Sequence, residues 1–172
     1  MRPRDLAYCG SFGAAALLMP ALFHVVHLGH VFLPMFLPLV ALAFLVGPGP
    51  AVLTACTVPL LSGVLTGMPP FWPPVGPFMA VELAATCGVI ALARRWRPRW
   101  IEWMVLVPAL LIGRVTYLGL VYVFAQWVDL PAGFLAGISF LVGWPGMVLM
   151  LVVVPPVVRR IGSRQATSER RE

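Results

Sequence analysis

Residues 78–125 read FMAVELAATCGVIALARRWRPRWIEWMVLVPALLIGRVTYLGLVYVFA. Two apolar runs, about 78–93 and 101–125, flank the basic stretch Arg94-Arg95-Trp96-Arg97-Pro98-Arg99. A helix of roughly 20 residues crosses the ~30 Å hydrocarbon core of a bilayer. Four arginines in a row of six cannot lie in that core, so they mark a connection at a membrane surface. Both runs are therefore expected to be membrane-spanning helices.

The same alternation extends in both directions. Further spans are expected at about 6–26, 31–46, 51–65 and 134–158, with short loops between them and a polar, fraying tail over 159–172. The second span is short and carries Pro34 and Pro38, and Gly47-Pro48-Gly49-Pro50 closes it as a tight turn. Gly67–Pro77 holds five prolines and cannot be regular helix. The expected fold class is thus an all-α integral membrane protein, one domain of six transmembrane helices. Composition agrees: 60% of the 172 residues are hydrophobic and only 10% charged, against about 25% charged in a soluble domain. Mean hydropathy is +0.95.

The arginines set the expected orientation. All twelve basic residues are Arg. Two lie at the N-terminus, four between the fourth and fifth spans and five in the tail, whereas the loops near 24–30, 67–77 and 127–131 hold no Arg or Lys. Under the positive-inside rule both termini are expected in the cytoplasm, with the chain in a cell membrane. The net charge of +6 is distributed between apolar runs rather than along one solvated face, so no nucleic-acid partner is expected.

Several chemistries find no support. Cys9, Cys56 and Cys87 stand within or beside apolar runs, without metal-ligand spacing, and read as small buried hydrophobes. The start Met-Arg-Pro-Arg followed by an apolar run resembles a secretory leader but lacks a small-x-small cleavage site, so the first span is expected to be retained. Ser62-Gly63 lacks the Gly-x-Ser-x-Gly frame and a His in a later span. No Gly-rich phosphate loop is present, so the chain is not expected to hydrolyse ATP, and no motif asks for a cofactor.

Two charges fall inside the spans. Glu82 stands 11 residues, about 16 Å, from the inner end of the fourth span, and Arg114 stands 13 residues, about 20 Å, from that of the fifth. A charge at the bilayer centre costs about 3 kcal/mol or more, so such residues pair or line a polar cavity. One reading is a salt bridge that only joins two helices; the other is a pair that binds or frames a polar ligand. His24, His27 and His30 form His-x-x-His-x-x-His at the outer end of the first span. They suit ligand contact, a Zn, Ni or Co site, or a plain interfacial role, but the helix is expected to break near Gly29 and no Asp, Glu or Cys nearby completes a metal site, so none is assigned. Of the outer aromatic residues Phe71, Trp72, Tyr117, Tyr122, Trp127, Phe140 and Trp144, most read as interface belt or core, while Trp72, Tyr117 and Trp144 are candidates to stack on a flat ligand. Ala7, Ser11 and Ala15 repeat at four-residue spacing with Gly10 and Ala14 beside them, a small-residue ridge that lets a second helix approach closely.

With these residues in view, the chain resembles a substrate-binding S-component of an energy-coupling factor (ECF) vitamin transporter over about residues 10–125. The resemblance rests on residues 27–35, His-Leu-Gly-His-Val-Phe-Leu-Pro-Met, on Gly47-Pro48, and on residues 59–70, Pro-Leu-Leu-Ser-Gly-Val-Leu-Thr-Gly-Met-Pro-Pro. It continues through residues 79–84, Met-Ala-Val-Glu-Leu-Ala, and Gly113-Arg114. It implies capture of a water-soluble vitamin or precursor in the extracellular half, and assembly with a transmembrane T-component and two cytosolic ATPases. It also implies release of the substrate inward by toppling in the membrane. The ridge Ala7–Ser11–Ala15 would then meet the T-component. The start Met-Arg differs from the Met-His start of the metal-specific branch. Two other expectations stand beside this one: a metal-ion permease using the three His and Glu82, and a membrane scaffold without transport, in which Glu82–Arg114 is purely structural.

Overall fold

The computed structural model describes residues 3–25, 34–97, 100–128 and 132–169, with the side chains of residues 21–25, 132–143 and 163–169 excepted. Among them the chain forms six helices: α1 Pro3–Val25, α2 Phe36–Ala43, α3 Pro48–Thr66, α4 Val75–Trp96, α5 Glu102–Trp127 and α6 Ala132–Glu169. Four stretches are long and apolar enough to cross a membrane: Pro48–Thr66, Val75–Trp96, Glu102–Trp127 and Trp144–Gly162. Large apolar side chains point outward along them, among them Leu53, Val64, Leu111, Val115 and Val152. Water would reject such a surface, whereas lipid accepts it. The chain is an all-helical protein with the character of a membrane protein.

Successive helices α3, α4, α5 and α6 pack side by side, and α1 lies against α2 and α3. The centre is α2, which touches α1, α3, α4 and α6. Its sequence FLPLVALA is apolar on every side, and a helix of that kind belongs in an interior. Phe36, Leu39, Val40, Leu42 and Ala43 are all buried, and the Cys87 thiol of α4 donates to the Leu39 carbonyl at 3.5 Å.

The second expected span, 31–46, therefore takes a different form. Its helix is eight residues long, about 12 Å and less than half of the hydrocarbon thickness. It ends because Phe44 and Leu45 donate to carbonyls only three residues back, and Gly47 then turns extended so that Pro48 can open α3. The tail also departs from expectation. It is helical through Glu169 rather than frayed. At its root Arg159 makes two hydrogen bonds, of 3.0 and 2.9 Å, to the Glu102 carboxylate in the first turn of α5.

The Pro-rich connection is irregular, as its composition requires, and α4 begins only at Val75. Gly67 ends α3 in the left-handed region at φ 74°, where a residue without Cβ is at no disadvantage. The Ser62 hydroxyl donates to the Met68 carbonyl at 2.8 Å, the Thr66 hydroxyl accepts from the Met68 N–H at 3.2 Å, and Gly76 N–H reaches the Pro70 carbonyl at 3.0 Å. Ser62 is thus a peg for the loop.

Candidate functional site

The α4–α5 contact brings together the two charges that lie farthest from the ends of the apolar runs. Small residues make the contact possible. Gly113 lies on α5 where a Cβ would run into the Thr86 hydroxyl of α4 and come within 3.4 Å of the Glu82 carbonyl. Thr86 is itself buried and turns its hydroxyl back to that carbonyl at 2.9 Å. Close approach at Gly113 carries its neighbour Arg114 to Glu82. Arg114 Nη1 lies 3.5 Å from Glu82 Oε1, and the two residues are 6% and 3% exposed. The similar depths read from sequence are thus realised as contact.

The ion pair does not use up the guanidinium. Arg114 Nε is buried with no hydrogen-bond partner among the described residues. Arginine offers five N–H donors in a fixed fork, and a buried donor without an acceptor costs about 1–3 kcal/mol. Such a group is poised to accept a further polar partner.

Aromatic rings lead away from the pair toward the Pro-rich loop. Phe78 lies one turn above Glu82, and Tyr117 one turn from Arg114; their ring centroids are 6.5 Å apart, edge to face. Phe78 meets Phe124 at 5.8 Å, and Phe124 meets Trp72 at 5.7 Å, both edge to face. From Arg114 to Phe124 is ten residues along α5, about 15 Å. Tyr117 is buried, whereas Trp72 is 74% exposed at the loop. The ladder thus joins a buried charge to the surface.

The structure brings Glu82, Arg114, Tyr117 and Trp72 of the expected site into this one system. Trp144 is half-exposed on α6. His24 lies on α1 with its side chain outside the described residues, and His27 and His30 lie outside them altogether. Ala7 and Ser11 sit on the exposed face of α1 and Ala15 is half-buried; the opposite face, with Gly13 and Ala16, is buried, and Gly13 turns toward α3. Phe78, Thr86, Gly113 and Phe124 join the site without having been expected. Helical spacing is the signal for the first and last, since Phe78 is four residues before Glu82 and Phe124 seven after Tyr117. Comparison with protein-family models, curated proteins and solved structures finds no match.

Proposed function

We propose that the protein is the membrane-embedded substrate-binding subunit of an ECF-type importer, taking up a water-soluble vitamin or precursor. The observation that carries the reading is the buried Glu82–Arg114 pair, with Arg114 Nε unpartnered, at the foot of an aromatic ladder. Ionisable residues within membrane helices are expensive, and they are kept where they serve a solute path or a binding site. The guanidinium supplies hydrogen bonds to a polar substituent of the substrate, and Tyr117, Phe78, Phe124 and Trp72 supply flat surfaces for a ring. The motif resemblance adds the class of transporter. In that reading the Arg-rich termini face the cytoplasm of a bacterial or archaeal cell, the Gly67–Pro77 loop covers the site from outside, and the small-residue ridge of α1 meets a T-component that brings two ATPases. The chain itself performs no catalysis.

Mass spectrometry of small molecules that co-purify with the detergent-solubilised protein tests the reading. A vitamin or precursor is expected in the wild-type preparation, retained on re-addition with a measurable Kd. Failure of a panel of vitamins and precursors to bind or to raise the Tm would overturn it.

A further inference from the structure

At the arginine-rich end of the bundle a cavity of about 470 Å³ opens between the first turn of α1, the α2–α3 turn and the last turns of α4. Its walls are of two kinds. Phe44 and Val46 are buried and apolar, whereas Arg4, Arg94, Arg95 and Asp5 bring polar groups to it. Three guanidinium groups face one carboxylate, an excess of two positive charges. Arg94 is held in place: its Nη1 donates to the Trp100 carbonyl at 3.0 Å and its guanidinium lies 5.9 Å from the Phe44 ring centroid. The Glu102 carboxylate also interacts with this guanidinium electrostatically, and Nε and Nη2 have no hydrogen-bond partner among the described residues. Arg95 has no hydrogen-bond or ion-pair partner among the described residues.

The nearby start of α3 contributes little to this charge. Pro48 and Pro50 have no N–H, and the Ala51 N–H is spent on the Gly47 carbonyl at 3.1 Å. Any anion here is recognised by the arginine forks. Planar guanidinium groups match the tetrahedral oxygens of phosphate in paired hydrogen bonds. Basic pockets between membrane helices at the bilayer surface are suited to phosphate headgroups, and the apolar wall at Phe44 and Val46 suits the carbon skeleton attached to one.

We infer that this cavity is a binding site for a phosphate-bearing ligand, with Arg94 and Arg95 as its principal contacts and Arg4 as a third. The inference is independent of the α4–α5 site. A phospholipid headgroup and a soluble phosphate ester share the required chemistry, and the experiment separates them.

The purified full chain is incorporated into nanodiscs of phosphatidylcholine with phosphatidylglycerol, and retained lipid is read by native mass spectrometry. Binding of glycerol 3-phosphate to the detergent-solubilised protein is measured in parallel. Wild-type protein is expected to retain phosphatidylglycerol over phosphatidylcholine, or to bind glycerol 3-phosphate. The first result assigns the lipid and the second the soluble ester. Arg95→Gln is expected to weaken the interaction about fivefold, the worth of one arginine at a membrane surface. Arg95→Lys keeps part of it. Arg97→Gln removes the same charge from a residue that does not line the cavity and is expected to change nothing. The inference is overturned if neither ligand is bound in preference to phosphatidylcholine, or if Arg97→Gln and Arg95→Gln weaken binding equally.

Discussion

Arg114 is a permanent cation held out of water, and its described counter-charge, Glu82, stands 3.5 Å away. Removing one partner of a buried pair leaves the other uncompensated, at a cost of about 3–5 kcal/mol, whereas replacing both with uncharged groups of similar size is often neutral. Glu82→Gln alone should therefore destabilise the protein by about that amount, measured by denaturant unfolding in detergent. Glu82→Gln with Arg114→Met should regain most of it. Ligand binding by the double variant separates the two readings of the pair. Loss of affinity in a well-folded double variant assigns the pair to the ligand, and wild-type affinity assigns it to structure alone. The pairing was legible because each charge stands in an apolar run where water cannot compensate it, and their counted depths agree. The unpartnered Nε was not legible, since it depends on side-chain angles that no spacing encodes.

Among the elements, the α4–α5 crossing depends on one missing methyl group. In hydrocarbon no hydrophobic force presses helices together, so close packing and polar contacts must do so, and small residues permit it. Gly113→Ala would set a Cβ against the Thr86 hydroxyl and is expected to cost about 1–3 kcal/mol as overpacking. Thr86→Ala removes the obstructing oxygen and leaves the Thr86 Cβ position 3.4 Å from the new group, an ordinary contact. The pair of changes should be less destabilising than Gly113→Ala alone, with a coupling of about 0.5–3 kcal/mol in a double-mutant cycle. Additive costs would show that the helices separate freely at this point. The helices α3, α4 and α5 are legible in the sequence because each is a long apolar run bounded by Gly, Pro or Arg. The enclosure of α2 is not, since a short apolar stretch reads alike whether it faces lipid or is enclosed by protein. Nor is the continuation of α6 past 158, because the polar residues from Arg159 onward signal departure from lipid, and a helix can leave lipid without unwinding.

For the molecule as a whole, the outward surface of α1 carries the question of assembly. Its exposed side carries Leu6 and Leu18 near its two ends and the small residues Ala7, Gly10, Ser11 and Ala14 between them, and nothing lies within 4 Å of a Cβ placed on Gly10. A lipid-facing helix has no need of small residues between them, since Leu and Val serve along the exposed faces of α3, α5 and α6. A second helix that packs closely does need them. That this partner is an importer's T-component rests on the proposed function, and it can be tested without disturbing the fold. Ser11 is exposed, so Ser11→Trp should alter stability by no more than about 0.5 kcal/mol. Substrate binding by the isolated protein should be unchanged, because α1's outward face is remote from the α4–α5 contact. Uptake by cells that also express a T-component and its ATPases should be abolished, since an indole on the ridge holds the two helices apart. Ala15→Trp should act in the same direction, although Ala15 is half-buried and its variant calls for a Tm measurement beside the uptake assay. Normal uptake by both variants would show that this face of α1 meets only lipid, and binding lost together with uptake would place the defect in the fold rather than in the assembly.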